Sequence, residues 1–364
     1  MAVNSQSGWQ PDWTVAPGEI LLEALQDREM TQSELAQRLG RPLKTVNEIV
    51  KGKAAITPET AIQLERALGI SARFWTGLEA QYRDALAHQE AEQALQAQAD
   101  WIDSFPITDM VRHQLIERGR TKAATLANLL SWLGISSPSA YDRLDSAAAY
   151  RASPAFAASP NAIRAWLRWG ELQAAKVTAS PFNARLFRKV LDEIRPMTRK
   201  EPFAQVFQRV QAMCAEAGVI VVLTPELSGT HLSGAARWIG SKAVIQLSLR
   251  HRTDDQFWFT FFHEAGHLLS RHRRRDFVDA AQLDDSDPDE NTANQFARDL
   301  LLPPDDYANF VQAGDFSRAA VRTFAESQTV AAGLVAGRLE RDKLVGRTQL
   351  RLVKKAIALS TDRP

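Results

Sequence analysis

The chain has one cysteine, Cys214, in 364 residues. A lone thiol cannot form an intramolecular disulfide, so a disulfide-stapled secreted scaffold is excluded and a reducing compartment fits. Cys214 lies in the helical apolar pattern VQAMCAEAG and reads as a buried structural thiol. Neither sign of charge is in excess, because the formal net charge is +1. Net charge therefore gives no pull toward nucleic acid or a membrane surface, and any such contact must come from a local patch. No apolar run approaches the roughly 20 residues of a membrane span. The longest, GVIVVL, reads as a buried strand. The N-terminus lacks the basic-then-apolar layout of a signal peptide.

Large apolar side chains are plentiful. The sequence is 45% apolar with nine Trp, enough to build cores, and its length favours two or three domains. The spacing predicts three regions: 1–80, a helical linker and middle region 81–200, and 201–364. The expected fold class is mainly α with a small β-sheet. It comprises an N-terminal all-α helix-turn-helix domain, the linker region, and a C-terminal α+β zincin-like domain.

Residues 17–80 carry helix punctuation. Pro17 suits a first helical position, and Ile20, Leu21 and Leu25 form an apolar stripe. Thr31 followed by Glu34 is a capping box, and Gly40 ends that helix. A second short helix, from near Arg41 to Val50, is closed by Gly52. Thr57 and Pro58 open another, which Gly69 ends. Helix, glycine turn, helix is the layout of a module that reads the DNA major groove. Between Arg38 and Lys53 stand five basic residues and one acid, Glu48. Arg38, Arg41, Lys44, Thr45, Asn47, Lys51 and Lys53 are the candidate DNA contacts. Lys44, Asn47 and Glu48 suit base edges, and Lys51 and Lys53 suit phosphates. Val46, Ile49 and Val50 should face the core. The stretch from PGEILLEALQ through ITPETA to GISARFW resembles the HigA-type branch of Xre repressors. That resemblance implies a dimer on double-stranded operator DNA with inverted repeats. It also raises a toxin as a partner.

Residues 81–100 are rich in Ala, Gln and Glu and read as an exposed connecting helix. WLRWGE, at 166–171, reads as a core stripe. From Gly218 the period changes. GVIVVLTPEL, LSGAARWIGS and KAVIQLSLR are three strand-like runs. A helix, DDQFWFTFFHEAGHLLSRH, follows, then a charged loop, RRRDFVDAAQLDDSDPD, then a second helix.

His263 and His267 are four residues apart, about 40° around a helix, so both imidazoles point one way. Glu264 between them can hold a water without taking a coordination position. A catalytic zinc takes three protein ligands and keeps one position open. Glu290, at the start of the second helix, is the best third ligand, with Glu264 as general base. FFHEAGHLL followed by ENTANQFARDLLLP is similar to the ImmA/IrrE metallopeptidases. The resemblance implies His263, His267 and Glu290 as ligands, Glu264 as base, and one Zn2+ per chain, with Mn2+ as the alternative.

An oxyanion donor is also needed, and His231, Tyr307 and Arg338 are candidates. His231 falls at the start of an expected edge strand. RHRRR (271–275) and DDSDPDE (284–290) read as a facing pair of charged segments.

The expected protein is a cytoplasmic, nucleoid-associated, bacterial-type regulator with no membrane partner. By resemblance, its C-terminal half cuts an Xre-type repressor, in trans or in its own linker, within a stress response. Two rival readings keep the metal without catalysis: a ligand sensor, and an antitoxin-like repressor.

Overall fold

The computed structural model describes residues 15–141, 159–270, 277–280, 288–346 and 348–357. RHRRR (271–275) and the first part of DDSDPDE lie outside them. Contacts divide the chain into two compact units, Met1–Ala99 and Asp100–Pro364. Among the described residues no helix is long and apolar enough to cross a membrane.

The first unit is all helical, with α1 (Pro17–Gln26), α2 (Gln32–Leu39), α3 (Leu43–Val50), α4 (Pro58–Leu68) and α5 (Ala72–Ala97). The caps explain the boundaries. Thr31 accepts from the Glu34 amide at 3.1 Å, and Thr57 accepts from Thr60 at 3.2 Å. Gly40 and Gly69 end their helices with φ of 63° and 72°, the left-handed region that glycine enters without a Cβ penalty. The core collects Leu21, Leu25, Leu35, Val46, Ile49, Leu64 and Trp75. Gly18 is needed where α1 crosses α3, since a Cβ there would lie 2.2 Å from the Val50 carbonyl oxygen. Buried Glu79 on α5 accepts from the Ile56 amide and from Arg83, fixing the turn before α4.

One boundary changes here. Helix α3 begins at Leu43 rather than near Arg41, because Pro42 takes the cap position. The Ala/Gln/Glu-rich stretch is an exposed helix as expected, continuous with the first half of α5 up to Ala97.

The second unit holds α6 (Ile107–Arg112), α7 (Lys122–Leu133), α8 (Pro160–Ala174), α9 (Ala184–Ile194) and α10 (Phe203–Glu216). Then come β1 (Val219–Leu223), β2 (Leu232–Ile239), β3 (Lys242–Leu247), α11 (Asp254–Leu269), β4 (Phe277–Ala280) and α12 (Pro288–Leu301). Helices α13 (Pro304–Ala313), α14 (Arg318–Ser327) and α15 (Ala332–Arg341) follow. The sheet has four strands in the order β1-β3-β2-β4. β1 and β3 are parallel, and β2 is antiparallel to both neighbours. β4 lies within the segment read as a charged loop. It is four residues long and pairs with β2, so cross-strand partners make it a strand, which local sequence does not signal. β2 is consequently internal, and His231 precedes an internal strand rather than an edge.

Alternation along β1 sorts the two faces. Val219 and Val221 join the large core with Phe257, Phe261 and Phe262 of α11. Ile220 and Val222 face α8 with Val244. Buried Trp166 belongs to this packing, as WLRWGE suggested. Gln246 locks α8 to the sheet by donating to the Trp166 carbonyl at 2.7 Å and to Thr224 at 2.8 Å. Helix α11 is thus buried on nearly every side, with the sheet on one flank and α12 and α15 on others.

Candidate functional site

Helices α11 and α12 bring His263, His267 and Glu290 together. The two histidine Nε2 atoms are 3.0 Å apart, and the Glu290 carboxylate oxygens lie 3.2 Å and 3.3 Å from them. Both histidines are almost fully buried, and Glu290 is 18% exposed. Burial alone would raise the Glu290 carboxyl. Hydrogen bonds and charge from the two histidines outweigh it and bring the group down to about 2.

The donor set fits a tetrahedral ion. Zinc bonds of about 2.0–2.1 Å imply ligand edges of about 3.3 Å. The two nitrogens are 3.0 Å apart and each faces a different oxygen of Glu290. One donor atom from each of the three residues lies within 4.8 Å of the others, and imidazole nitrogen with carboxylate oxygen is a zinc-type donor set. His263 Nδ1 lies 3.1 Å from Asn294 Oδ1. An amide oxygen only accepts, so Nδ1 donates and Nε2 keeps its lone pair for an ion.

Glu264 is fully buried and points elsewhere, toward β2. A Cβ on Gly234 would come within 2.6 Å of Glu264 Oε1 and of the Thr260 methyl. Gly234 thus leaves the room that Glu264 occupies. Neither Gly234 nor Asn294 was singled out in the sequence, although Asn294 stands one helical turn beyond Glu290 on the same face.

The three oxyanion candidates separate. Tyr307 donates to Asp342 at 2.8 Å, and Arg338 binds the same carboxylate at 2.7 Å while lying over the Tyr307 ring. Burial and the Asp342 carboxylate push the Tyr307 phenol well up. His231 stands apart, 3.7 Å from Glu226, with a left-handed φ of 51°.

In the first unit, α3 buries Val46 and Ile49, half-buries Val50, and leaves Lys44 84% exposed. Asn47 and Thr45 are half-buried, while Lys51 and Lys53 are exposed just past the helix. Arg38 pairs with Glu34 at 2.6 Å. Arg41 precedes α3 and turns to Gln63 at 2.6 Å, with Glu59 at 3.6 Å.

Comparison with known proteins matches residues 21–75 to the helix-turn-helix family and residues 215–339 to the IrrE N-terminal-like domain. An Escherichia coli K12 protein described as an uncharacterized HTH-type transcriptional regulator, YddM, is 35% identical over 63 residues, 17% of this chain and 67% of the relative. The chain belongs to the Xre-like helix-turn-helix regulators. Virulence-associated protein I of Dichelobacter nodosus is 33% identical over 79 residues, 21% of this chain and 73% of its own. Among solved structures, a HigA-family antidote protein from Coxiella burnetii is 30% identical and covers 23% of this chain and 92% of its own, with a TM-score of 0.22. Pseudomonas aeruginosa antitoxin HigA, solved with the higBA promoter, is 34% identical and covers 22% and 90%, with a TM-score of 0.22. The regulator's second unit carries the IrrE N-terminal-like domain, and α11 and α12 lie wholly within it.

Proposed function

We propose that this regulator binds operator duplex as a dimer through α3 and uses its second unit as a zinc-dependent peptidase with a narrow substrate range. The observation that carries the second half is the grouping of His263, His267 and Glu290, with Glu264 buried on the same helix and turned toward β2. His263, His267 and Glu290 would hold the zinc, which would supply a Lewis acid for water and a carbonyl. Glu264 would take the proton from the attacking water and pass it to the leaving amine. Asn294 holds the His263 ring, and the apolar shell around α11 limits water. Buried catalytic groups also limit which chains enter, as a regulator requires. The substrate class is an Xre-type repressor, in trans or as the chain's own linker. A toxin partner and a cytoplasmic location belong to the same proposal, as does a division into 1–80, 81–200 and 201–364.

On the DNA side, support comes from the exposed Lys44 at the start of α3 and the exposed Lys51 and Lys53 beyond it. Arg38 and Arg41 are drawn into side-chain pairs and would have to exchange them for phosphates.

The deciding experiment compares wild type with Glu264→Gln. Both should purify with about one zinc per chain by elemental analysis. Only wild type should clip a panel of purified Xre-type repressors or itself. Equal clipping by both, or none by either together with unchanged promoter control in cells, refutes catalysis. The second outcome would make the centre a sensing device.

A further inference from the structure

Helices α11 and α12 run antiparallel, in register. Glu290 meets His267 and His263, and Asn294, one turn on, meets His263. The next turn of each helix brings Phe259 and Arg298. These two residues line a cavity of about 610 Å³, within the range of ligand sites. The Phe259 ring stacks on His263, with centroids 6.2 Å apart, so the cavity begins where the metal group ends.

The charges lining this cavity are mostly paired. Lys354 is held by Asp255 at 2.8 Å and Glu340 at 2.7 Å. Arg338 is held by Asp342, and Arg341 lies over the Phe259 ring at 6.0 Å. Arg298 and the exposed Arg351 have no ion pair among the described residues. Oxygens of Asp255 and Glu340 also lack hydrogen-bond partners, but Lys354 compensates their charge. Of the two unpaired arginines, half-buried Arg298 has a buried Nε without an acceptor, and that donor costs free energy that an incoming anion would recover. The walls beside it are apolar, formed by Phe259, Leu301, Leu302 and Leu334. A charged fork above apolar walls suits an occupant with a hydrocarbon stem and a carboxylate tip.

We propose that this cavity is a subsite for an acidic residue of a bound peptide, with Arg298 as its specificity-determining partner. The inference rests on the peptidase reading of the neighbouring centre and names its substrate class. One helical turn is about 5.4 Å, and an extended peptide advances about 3.3–3.6 Å per residue. The Asp or Glu therefore sits about two residues from the bond at the metal group.

The test is affinity selection from a random library of N-acetylated octapeptide amides on the immobilised full chain, read by mass spectrometry. Glu264→Gln is the background, so bound peptides stay intact. The expected result is about tenfold enrichment of Asp or Glu over Asn or Gln at a single position. Adding Arg298→Gln should abolish that enrichment, and adding Arg298→Lys should keep part of it, with helical content of both variants checked by circular dichroism. Flat selection, or enrichment that survives Arg298→Gln, overturns the proposal. So does enrichment that vanishes when zinc is chelated, because the metal would then be holding the carboxylate. Selection needs no hydrolysis. Intact selection with no cleavage by wild type would sink the peptidase reading alone, leaving an acidic-peptide site.

Discussion

Asn294 Oδ1 sits 3.1 Å from His263 Nδ1, one helical turn past Glu290 and almost fully buried. It supplies the acceptor that holds one metal-facing ring in its tautomer. Asn294→Leu should weaken zinc binding about 10- to 100-fold, whereas Asn294→Asp, which keeps an acceptor, should weaken it less. Competition with a fluorescent chelator measures both. Equal affinity in wild type and Asn294→Leu would remove Asn294 from the site.

Gly234→Ala puts a methyl 2.6 Å from Glu264 Oε1. Glu264 must move while the three metal-facing residues stay. Zinc content should be unchanged, and cleavage should fall about 100-fold, the scale of a misplacement near 1 Å. Parallel elemental analysis and turnover assays separate the two quantities.

Asp254 opens α11, is 4% exposed, and has its pKa raised from 3.8 to about 6. Burial is the main cause; amide hydrogen bonds from Lys355 and Asp255 oppose it. The folded state therefore binds this proton more tightly than the unfolded chain does. The stability it contributes is fully present below about pH 4 and is lost as pH rises through about 6. Asp254→Asn should keep both amide bonds and stabilise the second unit at pH 7 by about 1–3 kcal/mol. The gap from wild type should close as pH falls toward 4. Urea titrations at several pH values, with chelator present, measure it.

On the DNA side, Lys44→Ala should change which operator sequences are preferred. Lys51→Ala should weaken all sequences alike and lower the salt slope by about one. Binding isotherms on two duplexes at several salt concentrations distinguish these effects. Identical behaviour of the two variants would mean that α3 does not enter the groove as proposed.

Much of this was legible because local chemistry decides it. Thr31, Gly40, Thr57 and Gly69 mark helix ends by satisfying amides or by tolerating a left-handed φ, and those needs sit within four residues. The i, i+4 histidines likewise declare a shared face. What was not legible depends on partners distant in sequence. β4 exists because β2 offers it an edge, and its own residues carry no strong period. Asn294 and Gly234 matter through His263 and Glu264, 31 and 30 residues away. Arg298 reads as an ordinary helix-terminal base until the cavity beside it is known. Pro42 could have moved the start of α3 past Arg41 from sequence alone, since proline suits the start of a helix.

Cys214 is sealed in the core on α10, and burial drives its thiol far from the reactive thiolate form. The candidate centre uses nitrogen and oxygen and no sulfur. Peroxide and alkylating agents empty zinc sites by attacking thiolate ligands, and here there is none to attack. A metal held by these residues would survive an oxidative burst that strips cysteine-based sites. If this regulator answers oxidants, the message does not enter through a cysteine thiolate at this centre.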